Sequence, residues 1–419
     1  MTRCWNYPCV SNDWTEAAAA GGRLMQTPQV GGGVVQRVLF VHPEPATRLQ
    51  RHAMALSQTG IEVHLAAKHI RPMFETDMFA SVFDYSRPKG RLNHILNDWF
   101  KLERKVLLEH IRRLRPDVVH VVVEPNREAA LIVRDSQAAV VVDGQDFTSA
   151  SDGVENVHHR QRGFERMALE NCDGLLFKGP PEEVDYYAGI GWKLTDNRLN
   201  HLDWCQPEWF AAEGIERCSE VDGRPHLVYA GHVARHAHQI YVDYTELGSW
   251  LGDQRIHLHV YPTYSSVLPA MVELDRRSVW FHLHEQTPFS ELVKEMARYD
   301  LGVWMHQRDP NNSRSDDNKL RTAMGNKLFA YLEAGLPVLI NPEIVWGAEV
   351  IDRHGVGIVA GYQQMRDGAG ELITMDKLAE LRSNVLQQRC GALGIADHID
   401  ELLAFYGRAI TARGAKLGL

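Results

Sequence analysis

The chain has 419 residues and a mass of 47.5 kDa, with 44% apolar and 24% charged residues. That profile excludes a collagenous or wholly disordered chain and leaves room for two or three domains. Its 54 acidic residues outnumber 45 basic ones, for a formal net charge of −9. This excludes a general nucleic-acid coat, and no apolar run reaches the roughly 18 residues needed to span a bilayer.

Residues 1–34 include AAAAGGRL and VGGGV but no apolar core of signal-peptide length, and read as a flexible leader with Met25 as an alternative start. The run from Gln36 to His42 has the continuous apolar character of a buried parallel strand. A helical stretch from Ala46 to Gln58 and a strand from Ile61 complete a β-α-β unit. The segment KLERKVLLEHIRRLR at 101–115 predicts a basic amphipathic helix, suited either to solvent or to peripheral contact with a membrane surface. Asp117 to Val123 predict the next strand, 128–136 a helix, and AVVVDGQDF a strand ending near Asp143. A helix around Gly163–Asn171 precedes DGLLFKGPPEEVDYYA, again strand, turn and helix.

Between Gly191 and Arg224 the rhythm lapses, which marks a linker. A second series follows, with strands expected at 226, 256, 279, 300, 336 and 355, then long helices over 376–413. The expected architecture is α/β, with two doubly wound, Rossmann-like parallel-sheet domains facing a cleft. The domains are placed at 35–205 and 206–375, with 376–419 packing back across both. The six cysteines (Cys4, Cys9, Cys172, Cys205, Cys218 and Cys390) are scattered without a C-x2-C pair, as reduced thiols of a cytoplasmic protein would be.

The stretch Gly325–Asn–Lys–Leu–Phe–Ala–Tyr–Leu–Glu–Ala–Gly–Leu–Pro–Val338 resembles the NKLFEYLAAGLPV signature of glycosyltransferase family 4 and its GT-B relatives. Further stretches fall in that family's order: VVVDGQDF at 140, HLDWCQPEWF at 201, LVYAGH at 227 and FSELVKEMARYDLGVW at 289. The resemblance covers about residues 36–375. It implies a GT-B fold and transfer of a sugar from a nucleotide-sugar donor to a hydroxyl acceptor (a glycan, a lipid-linked sugar or a small molecule). Metal-independent chemistry and no cofactor are expected.

Gly325 and Asn326 open a helix whose free backbone N–H groups suit a diphosphate, and Lys327 adds a cation in the first turn. Gly231 lets backbone approach the donor closely. Where the family places two cations after that glycine, this chain has His232 and Ala237, and Arg235 is the substitute candidate. The resemblance implies a pair of glutamates at Thr322 and Ala330, and neither is acidic. Glu333, one turn beyond Ala330, is expected either to grip donor hydroxyls or to sit on a solvated face. On the acceptor side Asp146 is the leading proton acceptor, with Asp143 and His120 behind it.

The histidine pairs His236/His238, His257/His259 and His282/His284 have chelating i, i+2 spacing, but no third ligand follows at a clear spacing. No metal site is expected. Gly31–Gly33 precedes its strand, unlike a dinucleotide fingerprint, which argues against a dehydrogenase. The missing glutamates leave two other readings open: a degenerate subunit that binds a nucleotide sugar or a partner protein, and the same fold used for sugar-nucleotide hydrolysis or epimerisation.

Overall fold

The computed structural model describes residues 35–71, 74–86, 102–123, 126–145, 147–211, 214–233, 244–263, 267–306 and 316–418. The expected leader, Arg235, His236, His238 and Asp146 lie outside the described residues.

The first sheet contains β1 (Arg37–Val41), β2 (Glu62–Ala67), β3 (Ser81–Asp84), β4 (Val118–Val123), β5 (Ala139–Gly144), β6 (Gly174–Phe177) and β7 (Arg198–Asn200). Their order is β3-β2-β1-β4-β5-β6-β7, and every pairing is parallel. The second contains β8 (His226–His232), β9 (His257–Thr263), β10 (Phe281–Leu283), β11 (Leu301–Trp304), β12 (Val338–Ile340) and β13 (Gly357–Val359). Its order is β10-β9-β8-β11-β12-β13, again all parallel. Val38, Phe40, Val119, Val121, Val140 and Val142 are buried, as continuous apolar strands covered on both faces must be. All six strands expected in the second half are present. The stretch read as a linker holds β7, which adds an edge to the first sheet beside β6.

Helix Leu102–Leu114 buries Leu107, Leu108 and Ile111 in the first core. Its Arg113 bonds Glu109 at 2.9 Å, and Arg104 pairs with Asp135. These three apolar residues are therefore spent on the core, and Val106 stays exposed. No helix among the described residues is long and apolar enough to cross a membrane.

The last helix, Ile399–Leu417, lies against the first sheet, where Tyr406 Oη meets His120 Nδ1 at 2.7 Å and the Phe405 carbonyl accepts a bond from Asn197. The two halves are also joined through helix Asn326–Glu333. Arg51, on helix Thr47–Gln58, grips Glu333 with two bonds of 2.8 and 2.7 Å.

Candidate functional site

In a doubly wound sheet the strand order reverses once, and the crevice beyond the carboxyl ends at that point is where ligands bind. In the second sheet the reversal falls between β8 and β11. Gly231 and His232 end β8, while Met305 and His306 follow β11. A cleft of about 560 Å³ opens there and runs to the facing wall of the first domain, a size suited to a small-molecule ligand. Gly231, His232, His306, Gly325, Asn326, Lys327 and Ala330 line one side; Glu44, Arg71, Gln145 and Lys178 line the other.

Helix Asn326–Glu333 starts at this cleft. Its N-cap is Gly325, which has no side chain to cap the first amides, and no carboxylate stands in the first turn. The end that would ordinarily attract a negative side chain therefore has none in its own first turn, an arrangement that suits an anion. Lys327 is half-buried, and among the described residues its ammonium makes no hydrogen bond or ion pair. It lies 5.5 Å from the centre of the Tyr229 ring. Burial, and next the charge of Lys178, pull its pKa from the usual 10.5 down to about 8.

Gly231 has φ +155°, and a Cβ there would come within 3.0 Å of Lys327 Cε and 2.9 Å of Tyr229 Oη. Glycine is thus the residue that lets β8 pass under the lysine stem. Tyr331 fixes the helix to both strands at the crevice: its hydroxyl accepts from Ala230 N at 3.1 Å and donates to the Val303 carbonyl at 2.9 Å.

Three contributors to the cleft carried no sequence signal strong enough to single them out. Lys178 follows β6, is 7% exposed, and among the described residues has no carboxylate partner. The Trp346 indole N–H donates to the Lys178 carbonyl at 3.0 Å and ties this corner to the second domain. His306 has both ring nitrogens buried without a partner among the described residues. Burial, with Lys327 and Lys319 nearby, holds it well below the usual histidine range, so it stays neutral. Gln145, just past β5, has a buried amide nitrogen with no partner among the described residues. The LLFKGPP and VWMHQ stretches at strand ends were the available hints.

Other expected site residues lie elsewhere. Glu333 does not reach the cleft. Its side chain is 0% exposed, clamped by Arg51 and accepting from Gln206 N at 2.8 Å. Burial raises its pKa, with Arg51 working against that. Neither donor gripping nor a solvated face describes it; it is an interdomain bolt. Ala330, where the resemblance implies a carboxylate, does line the cleft.

Asp143 and His120 are also fully buried, and neither lines the cleft. Arg48 bonds Asp143 Oδ2 at 2.8 Å and Oδ1 at 3.0 Å, and bonds Asp203 at 2.6 Å. His120 Nε2 stands 3.3 Å from Asp143 Oδ2. Burial pushes the Asp143 carboxyl up, but Arg48 and His120 together hold it well below the usual carboxylate range. An acid so firmly ionised and enclosed is a poor proton acceptor, and this placement corrects the expectation for both residues.

No protein-family model matches the sequence, and neither does any curated protein sequence. Solved structures do match. HepE from Anabaena, solved with UDP and glucose, aligns with a TM-score of 0.61 at 13% identity, over 88% of this chain and 99% of that one. The chain has the GT-B fold. A glycosyltransferase from Rickettsia africae shares it at a TM-score of 0.59 and 10% identity, over 90% of this chain and 99% of that one. So does trehalose 6-phosphate synthase from Burkholderia multivorans, at 0.58 and 11%, over 90% of this chain and 99% of that one. No match assigns the chain to family 4 within the GT-B fold. Among the described residues four cations, Arg71, Lys178, Lys319 and Lys327, line the cleft beside the uncapped helix start.

Proposed function

We propose that this protein is a glycosyltransferase that binds a nucleotide sugar at the 325–327 helix start and transfers the sugar to a hydroxyl acceptor from the first-domain side. The carrying observation is Lys327, a cation that has no anionic partner among the described residues, at the mouth of an uncapped helix, with Lys178 near enough to depress its pKa. Two desolvated ammoniums are costly side by side unless an anion joins them. A diphosphate supplies that anion, and as the leaving group it gains charge during transfer, so the same contacts strengthen toward the transition state. Neighbours solved with UDP, HepE from Anabaena and MnaA from S. aureus, support the same ligand class.

His306, neutral and with both nitrogens available, is the proposed contact for a sugar or ribose hydroxyl. Arg235 keeps its proposed place as a second donor-side cation, and Asp146, next in sequence to cleft-lining Gln145, its place as proton acceptor. No metal is assigned to the chemical step, where Lys327, Lys178 and the helix start supply the positive charge.

The test is a panel of nucleotide sugars screened by thermal shift, followed by donor turnover in wild type and Asp146→Asn. One donor should stabilise the protein, since a bound ligand contributes RT ln(1 + [L]/Kd). Turnover should fall about 10²–10⁴-fold in the variant with donor affinity unchanged. Tight binding with no turnover in wild type would replace the enzyme by the subunit reading.

A further inference from the structure

The second sheet carries a histidine array that the cleft does not use. His226 opens β8, His257 and His259 alternate along β9, and His282 and His284 alternate along and just past β10. The parallel register sets His226 beside His257 and His259 beside His282. Alternate residues of a strand share a face, so the five rings form one layer, stacked at centroid distances such as 4.1 Å (His226–His257) and 4.3 Å (His259–His282).

Their nitrogens are joined in sequence at 2.9 Å: His226 Nδ1 to His259 Nε2, His259 Nδ1 to His284 Nε2, and His257 Nδ1 to His282 Nε2. Of the four nitrogens left over, His226 Nε2 and His257 Nε2 converge on Asp222 Oδ2 at 3.1 and 3.2 Å. Asp222 is the last residue of helix Cys218–Asp222, which explains why strand spacing in the sequence gave no third ligand.

We propose that Asp222, His226 and His257 form a binding site for one divalent transition-metal ion of the zinc type, apart from the sugar cleft. All three ligand atoms lie within 4.8 Å of one another, and ligands about 2.0–2.2 Å from a common ion stand about 3–3.5 Å apart. Two imidazoles and a carboxylate favour zinc, cobalt or nickel over magnesium or calcium. The carboxylate's other oxygen is occupied by Arg224 N at 2.9 Å, which leaves Oδ2 to point at the ion. The Asp222 side chain is 39% exposed and gives an ion a way in.

Behind the site, His259 and His282 bond the proposed histidine ligands, and His284 bonds His259. With both Nε2 lone pairs on the ion, His226 and His257 carry their protons on Nδ1 and donate to His259 and His282; His259 then donates to His284. Every link is satisfied, and outer partners of this kind orient ligating histidines and make them more basic. Without the ion the same bonds run in reverse and end on Asp222 as a double acceptor. The ion therefore selects one of two tautomeric directions without changing the number of protons. The buried group His52, His120 and Asp143 is no rival, because Arg48 already neutralises its carboxylate. The proposed site lies at the start of β8, about 20 Å along the strand from the cleft at about 3.3 Å per residue, so the ion is a structural clamp and not a sugar ligand.

The experiment uses the full chain stripped of metal, with Co²⁺ as the optical probe and Zn²⁺ titrated calorimetrically. Expected are one ion per chain at micromolar affinity or tighter, visible Co²⁺ bands, and a melting temperature that rises with Zn²⁺. Asp222→Asn and His257→Gln should each weaken binding at least tenfold. His259→Gln, which removes only an outer partner, should weaken it about 10–100-fold. The double variant His158→Gln/His159→Gln, at an exposed pair elsewhere, should bind as wild type does. If a histidine variant fails to fold, Asp222→Asn at its exposed position decides alone. No binding up to 100 µM as an upper limit of about the weakest useful site, or unchanged affinity in Asp222→Asn, overturns the proposal.

Discussion

Replacing Lys327 by methionine keeps the stem and removes the charge, and it separates what the lysine does for ligand from what it does to the fold. The displacement of its pKa from 10.5 to about 8 corresponds to roughly 3 kcal/mol weighing on the charged form at neutral pH. The folded value lies below the unfolded one, so this penalty is full below pH 8 and fades as pH rises toward 10.5. In the free protein at pH 7, Lys327→Met should therefore raise stability by on the order of 1–3 kcal/mol, about 2–10 °C in the melting temperature of a domain this size. Nucleoside diphosphate affinity should move the other way. A charged hydrogen bond contributes about 1.5–3 kcal/mol, so affinity should drop roughly 10- to 150-fold. Calorimetry with UDP, GDP and ADP, beside thermal melts of the same samples, reads both effects. A variant that binds all three nucleotides as wild type does, or that melts lower without ligand, would refute the argument that this cation is held in readiness for phosphate.

The same titration predicts a pH profile. Nucleoside diphosphate affinity should be flat from about pH 7 to 8 and then weaken by up to tenfold per pH unit, because the free lysine loses its proton there and the bound one keeps it. A flat profile to pH 9.5 in calorimetric titrations would count against Lys327 as the phosphate cation. For Glu333→Gln the expected result is lost stability: breaking a buried ion pair costs about 3–5 kcal/mol, read by chemical denaturation. A stable variant with selectively reduced sugar transfer would return Glu333 to the donor site.

The β-α rhythm was legible because parallel strands buried on both faces, such as VVHVVV and AVVVDG, leave uninterrupted apolar runs. β3 and β7 were not, and both are edge strands: SVFD is largely exposed, and RLN is three residues long, too short for any pattern. The helix start at Gly325–Lys327 was visible through the resemblance of its stretch to the family signature, with the glycine and the lysine in agreement. The fates of Glu333, Asp143 and His120 were not, since their partners Arg51, Arg48 and Tyr406 stand 282, 95 and 286 positions away. Charge composition cannot distinguish a carboxylate awaiting a substrate from one already neutralised by a distant arginine. Lys178 was missed for the opposite reason: a lone lysine after a strand is ordinary until the structure shows no carboxylate partner for it among the described residues.

The bolt between Arg51 and Glu333 has a mechanical corollary. Helix Asn326–Glu333 presents its first turn to the cleft and its last residue to the other domain, so Lys327 and the helix start sit only about 10 Å from the fastening at 1.5 Å per residue. Movement of the domains that leaves the bolt intact has to turn about it. A swing of about 10° then displaces the helix start by less than about 2 Å, while parts of the cleft farther from the bolt sweep correspondingly more. The fulcrum lies beside Lys327. The cleft can gape while the helix start scarcely shifts.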